Sequence, residues 1–153
     1  MKKLLLAITI LLLTATAANA QVYGNSIGLR IGNGAELSYQ HATSNLNRFE
    51  IDLGLEGFSF DNINLAGLYQ IIYPISDVPG MNWYVGYGAG LGIFNGFKNF
   101  AVGVLGNIGI EYNVGSAPIS FSLDWRPGLY YKTNSNKLWL IYGNFAIGIR
   151  YRF

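Results

Sequence analysis

Ten charged residues sit at alternate positions along otherwise apolar stretches: Glu36, Glu50, Asp52, Glu56, Glu111 and Asp124 among the acids, and Arg30, Arg126, Arg150 and Arg152 among the bases, with Arg48 at the rim. Every base in this set is arginine. A guanidinium is planar and gives paired hydrogen bonds to carboxylates, so arginine rather than lysine is expected in an enclosed, desolvated charge network. The alternative is a solvated sheet face with incidental charges, which would ordinarily carry lysine.

Other candidate chemistry is sparse. The only histidine, His41, lies in YQHATSN, with Ser44 three residues on. A hydrolytic His–Ser pair is one reading; a polar residue at a strand end is the plainer one. GYGAGLG (86–92) has the spacing G-x-G-x-G, and no helix follows whose N-terminus could hold a phosphate, so a dinucleotide loop is not expected. One histidine, no cysteine, and carboxylates with arginines at hand predict no metal site and no cofactor. Lys98, Lys132 and Lys137 stand apart from the arginines, in or beside connections between strands.

The elements that must position these residues are strands. Period-two alternation runs through the chain from residue 26 onward, and helical periodicity is absent. Eight strands are expected, at about 26–32, 35–42, 48–58, 62–74, 83–94, 99–113, 119–131 and 138–153. Gly32-Asn33-Gly34 marks a hairpin. The third strand alternates most cleanly, with Phe49, Ile51, Leu53 and Leu55 opposite Glu50, Asp52 and Glu56. The fourth is the weakest, because Leu68 and Ile72 share a face with Asn64 and Gln70. Pro127 predicts a bulge or kink in the seventh.

Residues 1–20 read as a targeting segment: Lys2 and Lys3, a short apolar core, then Ala18-Asn19-Ala20 as a cleavage signal. The expected domain is 21–153. Removing Lys2 and Lys3 leaves eight bases against eight acids, so net charge gives no argument for nucleic acid. No apolar run in 21–153 is long enough for a membrane helix.

Three features say which face is inside. The polar face of the fifth and sixth strands is largely glycine, which suits a narrow lumen where Tyr and Arg from the opposite wall need room. That face carries nearly all the strand charge. Aromatic residues gather at strand ends (Tyr73, Trp83, Tyr112, Tyr131, Trp139 and Phe153), as in the two interfacial girdles of membrane barrels. The expectation is an all-β fold: an eight-stranded antiparallel up-and-down transmembrane β-barrel with apolar side chains outward.

The pattern over 21–153, and FAIGIRYRF at the C-terminus in particular, resembles the small eight-stranded outer-membrane barrels of Gram-negative bacteria. In that class alternate residues counted back from a final Phe are apolar or aromatic, here Phe153, Tyr151, Ile149, Ile147 and Phe145. The resemblance implies that this strand is read by the barrel-assembly machinery and that the N-terminus is periplasmic. It also implies an outer-membrane location, with outer-membrane lipid and lipopolysaccharide as partners; with the N-terminus periplasmic, Lys98, Lys132 and Lys137 fall at the extracellular end, where their ammonium groups could contact lipopolysaccharide phosphates, ordinary solvated loop residues being the alternative. Some members modify lipid A; here Ser44 departs from the H-x-S-N spacing of the deacylases, and His41 falls at the periplasmic end.

Eight strands leave a lumen just wide enough for its own side chains, so a general pore is not expected. The role read from the sequence is structural or surface-interacting, non-catalytic, with a plugged lumen and a monomeric barrel. A lipid A-modifying enzyme and a narrow gated conduit for a small ligand are the alternatives.

Overall fold

A computed structural model describes residues 24–153, apart from residue 134. The expected targeting segment, 1–20, lies outside the described residues. Ten strand segments follow in order: β1 (Asn25–Ile31), β2 (Gly34–Ala42), β3 (Asn47–Glu56), β4 (Ile63–Pro74), β5 (Met81–Phe94), β6 (Asn99–Asn113), β7 (Ile119–Trp125), β8 (Gly128–Lys132), β9 (Lys137–Ile141) and β10 (Phe145–Arg152). β7 with β8, and β9 with β10, are the seventh and eighth strands, each interrupted once. No helix occurs among the described residues.

Every pairing is antiparallel between chain neighbours, and β1 with β10 closes the circle. The chain is thus a closed eight-stranded antiparallel barrel. Closure matters physically, because in hydrocarbon each unpaired backbone group costs several kcal/mol and a ring of strands removes most free edges.

Burial is inverted relative to a water-soluble barrel. Among the described residues six hydrophobic side chains are buried, against sixteen polar or charged ones. Outside, the odd positions of β3 (Phe49, Ile51, Leu53) and the even positions of β6 (Val102, Val104, Ile108, Ile110), with Leu65 of β4 and Tyr87 and Leu91 of β5 between them, form an exposed apolar wall. A patch that large is a membrane-facing or partner-facing surface. The fourth strand resolves in the same frame: Ala66, Leu68 and Gln70 point inward and are buried, while Leu65, Tyr69 and Tyr73 point out. A short apolar layer of Ala66, Leu68 and Leu105 therefore sits inside the otherwise polar lumen.

Pro127 does not bulge its own strand. The register of β6 runs unbroken from Ile108↔Trp125 to Leu105↔Gly128, and Gly106 N–H donates to the Pro127 carbonyl at 2.9 Å. The extra residue lies in the facing strand: Trp125 pairs with Phe145 and Gly128 with Ile141, so two residues oppose Tyr142, Gly143 and Asn144. The bond that proline cannot give is the reciprocal one to Gly106 on β6, since a residue's N–H and C=O point to the same neighbour; toward the last strand the pairing breaks just past Arg126, and the bulge takes up the extra residue there. Arg126 N–H bonds to the Asn144 carbonyl at 2.8 Å, and the Trp125 indole N–H donates to the Tyr142 carbonyl.

A one-residue slip moves every following side chain to the other face. Leu138 and Leu140 oppose Tyr131 and Leu129 on the outside, whereas Trp139 and Ile141 share the inner face with Tyr130 and Gly128. Trp139 therefore does not belong to the outer girdle, and the outward row of the last strand is Leu138, Leu140, Phe145, Ile147, Ile149 and Tyr151. Near the chain termini the outer aromatics do gather: Tyr73 stacks on Trp83 at 4.4 Å, Tyr151 on Phe153 at 6.4 Å, and Tyr112 is exposed close by.

Candidate functional site

Even positions of β1, β2, β3, β7 and β10 aim their polar side chains at the barrel axis, and the lumen is narrow enough for them to meet. Arg30 on β1 donates through Nη1 to Glu36 on β2 at 2.8 Å and through Nε and Nη2 to Asp124 on β7. Arg126, in the break after β7, reaches the opposite wall, where Nη2 meets Glu50 at 2.8 Å and Asp52 at 2.6 Å and Nη1 meets Glu36 at 3.2 Å. Arg150 on β10 adds Glu50, Ser38 and Ser122. All seven of these charged groups are buried. At such a depth an unpaired charge would be costly, so mutual pairing is what makes the cluster tenable.

Amides carry the network to the terminal end of the barrel. Asn107 contacts Asp124 at 3.5 Å and accepts from Gln70 at 2.7 Å; Arg48 donates to Gln70 and to Glu111, both at 2.6 Å. Gln40 joins Ser26 to Glu50. The sequence placed Arg48 at the rim, but it is buried, with its guanidinium 4.8 Å from the centre of the Tyr84 ring. Gln40, Gln70, Asn107, Ser38 and Tyr84 were not singled out from sequence either. Their inward parity was legible, but pairing across the lumen joins residues far apart in the chain.

Two expected members stand apart. Glu56 is only partly buried, near the mouth opposite the termini, and among the described residues it forms no ion pair. Arg152 is at the other end, donating to the carbonyls of Val114 and Ala117 at 2.9 and 3.1 Å.

Glycine makes the crossing possible. A Cβ on Gly109 would come within 2.6 Å of the Tyr84 ring, and one on Gly103 within 2.7 Å of Tyr130; Gly90 and Gly128 also back onto Tyr130. GYGAGLG lies within β5, its glycines at 86, 88, 90 and 92 lining the lumen.

His41 is exposed at the end of β2, its Nδ1 2.8 Å from the Asn25 side-chain oxygen, while the Ser44 hydroxyl accepts from the Leu46 N–H at 3.3 Å. The structure brings His41 to Asn25 and engages Ser44 within its own turn. Lys98, Lys132 and Lys137 all lie at the end opposite the termini; the Lys132 ammonium sits 3.9 Å from the Trp139 ring centre. Phe145, Ile147, Ile149 and Phe153 are exposed along the outer face.

No protein-family model matches the chain, and no curated protein does. Among solved structures, one described as "De novo design of transmembrane beta-barrels" is similar at a TM-score of 0.57, with 19% identity over 88% of this chain and all of that one. At this identity the likeness concerns fold alone. Together with the polar lumen and apolar exterior, it gives the chain the fold of an eight-stranded transmembrane β-barrel.

Proposed function

We propose that the chain is an exported, integral outer-membrane barrel whose role is structural or surface-interacting and non-catalytic, with its lumen plugged by its own side chains. In this reading residues 1–20 are removed on export, the termini face the periplasm, and the last strand is the address read by the assembly machinery. The barrel is a monomer in contact with lipid and lipopolysaccharide, and Lys98, Lys132 and Lys137 meet lipopolysaccharide phosphates as point charges. The observation that carries the plug is the wall-to-wall chain of Arg30, Arg126 and Arg150 with Glu36, Glu50, Asp52 and Asp124. An ion crossing the barrel would have to displace those pairs from a desolvated interior.

Planar-bilayer recording of the refolded protein tests this. Absence of steady conductance is expected, and stable open channels in the wild type would replace the plug with a conduit. A Lys98→Gln/Lys132→Gln/Lys137→Gln variant is expected to lose co-purifying lipopolysaccharide; unchanged co-purification would remove that contact from the account.

A further inference from the structure

We propose that the mouth opposite the termini is a binding site for a single-chain anionic amphiphile, entered sideways from the bilayer over the β1–β2 hairpin. The inference rests on the barrel spanning a bilayer and does not require the lipopolysaccharide contact.

The first support is the stepped rim. β5 and β6 have 14 and 15 residues, while β1 has 7 and β2 has 9, with only Gly32 and Asn33 between them. A membrane strand needs about 9–11 residues. The wall is therefore low at β1–β2. Immediately beside this gap stands β9, which among the described residues pairs with β8 alone. β8 is paired to β6 at the level of Val102 and Val104, inside the exposed apolar band, so hydrocarbon faces the mouth across the step.

The second is the lining. The bulge turns Trp139 and Ile141 inward over the mouth, where they join Phe94 and Tyr130. A hollow of about 540 Å³ opens between Phe94, Trp139 and Lys132, within the range of small-ligand sites. Beneath it the space narrows to about 40 Å³ above Arg30 and Arg126, enough for water but not for a chain. A ligand would therefore stop at the mouth and not pass through.

The third is charge. Lys132 and Lys137 are direct cross-strand partners on the inner face. Like charges directly opposed are destabilising; Glu56, which also lines the hollow, offsets only one of the two lysines, and a carboxylate or phosphate head would offset the other. Aromatic rings below would hold the alkyl chain.

The test uses the full chain in phosphatidylcholine nanodiscs, titrated with dansylaminoundecanoate while exciting tryptophan. Saturable energy transfer is expected, displaced by dodecanoate and by dodecyl phosphate, with relative potency telling whether a carboxylate or a phosphate head is preferred. Dodecanol should compete about tenfold less well or worse, and Trp139→Ala and Lys132→Gln should each weaken probe binding by a similar factor. Leu140→Ala, on the outer face of the same strand, should leave it unchanged. Heat-modifiable mobility confirms that each variant is folded. Non-saturable partitioning, equal binding by folded Trp139→Ala, or equal competition by dodecanol would each overturn the proposal.

Discussion

Arg126 is the residue on which the lumen turns, since one guanidinium serves Glu36, Glu50 and Asp52. Replacing it with leucine keeps the bulk and leaves three buried carboxylates short of a partner. The expected loss is about 3–5 kcal/mol of unfolding free energy, measured by urea titration in lipid vesicles. Unchanged stability would mean that the interior is hydrated well enough to screen its charges. Removing a glycine acts through shape instead of charge. Gly109→Val should force the Tyr84 ring from its contact with Arg48, at a cost of about 1–3 kcal/mol by the same measurement. At this scale the sequence was informative about direction and poor about partners. Period two placed Glu50, Asp52 and Asp124 inward, because parity is local. It could not show that Arg48 bonds Glu111 across the lumen, because that depends on strand tilt and closure. Nor could it show that Glu56 stands too near the mouth to join the network. His41 gives a further residue-level check: His41→Ala should leave lipid A structure unchanged by mass spectrometry, and any lost modification would favour the enzymatic alternative.

At the scale of elements, all eight strands were legible, since each carries several alternating apolar residues between turn signals. What escaped was the Tyr142–Asn144 bulge. Pro127 marked the place, but the extra residue lies in the strand opposite, between Phe145↔Trp125 and Ile141↔Gly128. Gly143-Asn144 opposite the proline was the available sign, readable only once β7 and β10 are known to pair. The consequence for Trp139 is measurable. In a variant retaining only that tryptophan (Trp83→Phe and Trp125→Phe), brominated acyl chains in the bilayer should quench fluorescence weakly. Deleting Gly143 removes the extra residue and keeps Trp139 opposite Tyr130 on the inner face, so the quenching should stay weak. Strong quenching that falls on deletion would place Trp139 on the lipid face of an unbulged strand and refute the flip.

For the whole molecule, inversion is the organising fact: arginines and carboxylates are buried while leucine, isoleucine and valine cover the surface. A soluble barrel would have to tolerate the exposed wall of β3 and β6 in water, against a driving force of about 25 cal/mol for each Å² of apolar surface. Lipid removes that cost, and the closed ladder removes most of the backbone cost of being there. The chain contains no cysteine, so a single one can be introduced anywhere without a background signal. The most direct test is a nitroxide scan along β6, one label at a time from position 100 to 112, in reconstituted bilayers. Collision with dissolved oxygen, which concentrates in hydrocarbon, should rise at the even positions and fall at the odd ones. A water-soluble nickel chelate should reach neither set within the apolar band. The opposite phase, or even positions freely reached by the chelate, would contradict a lipid-facing exterior and the charged lumen with it.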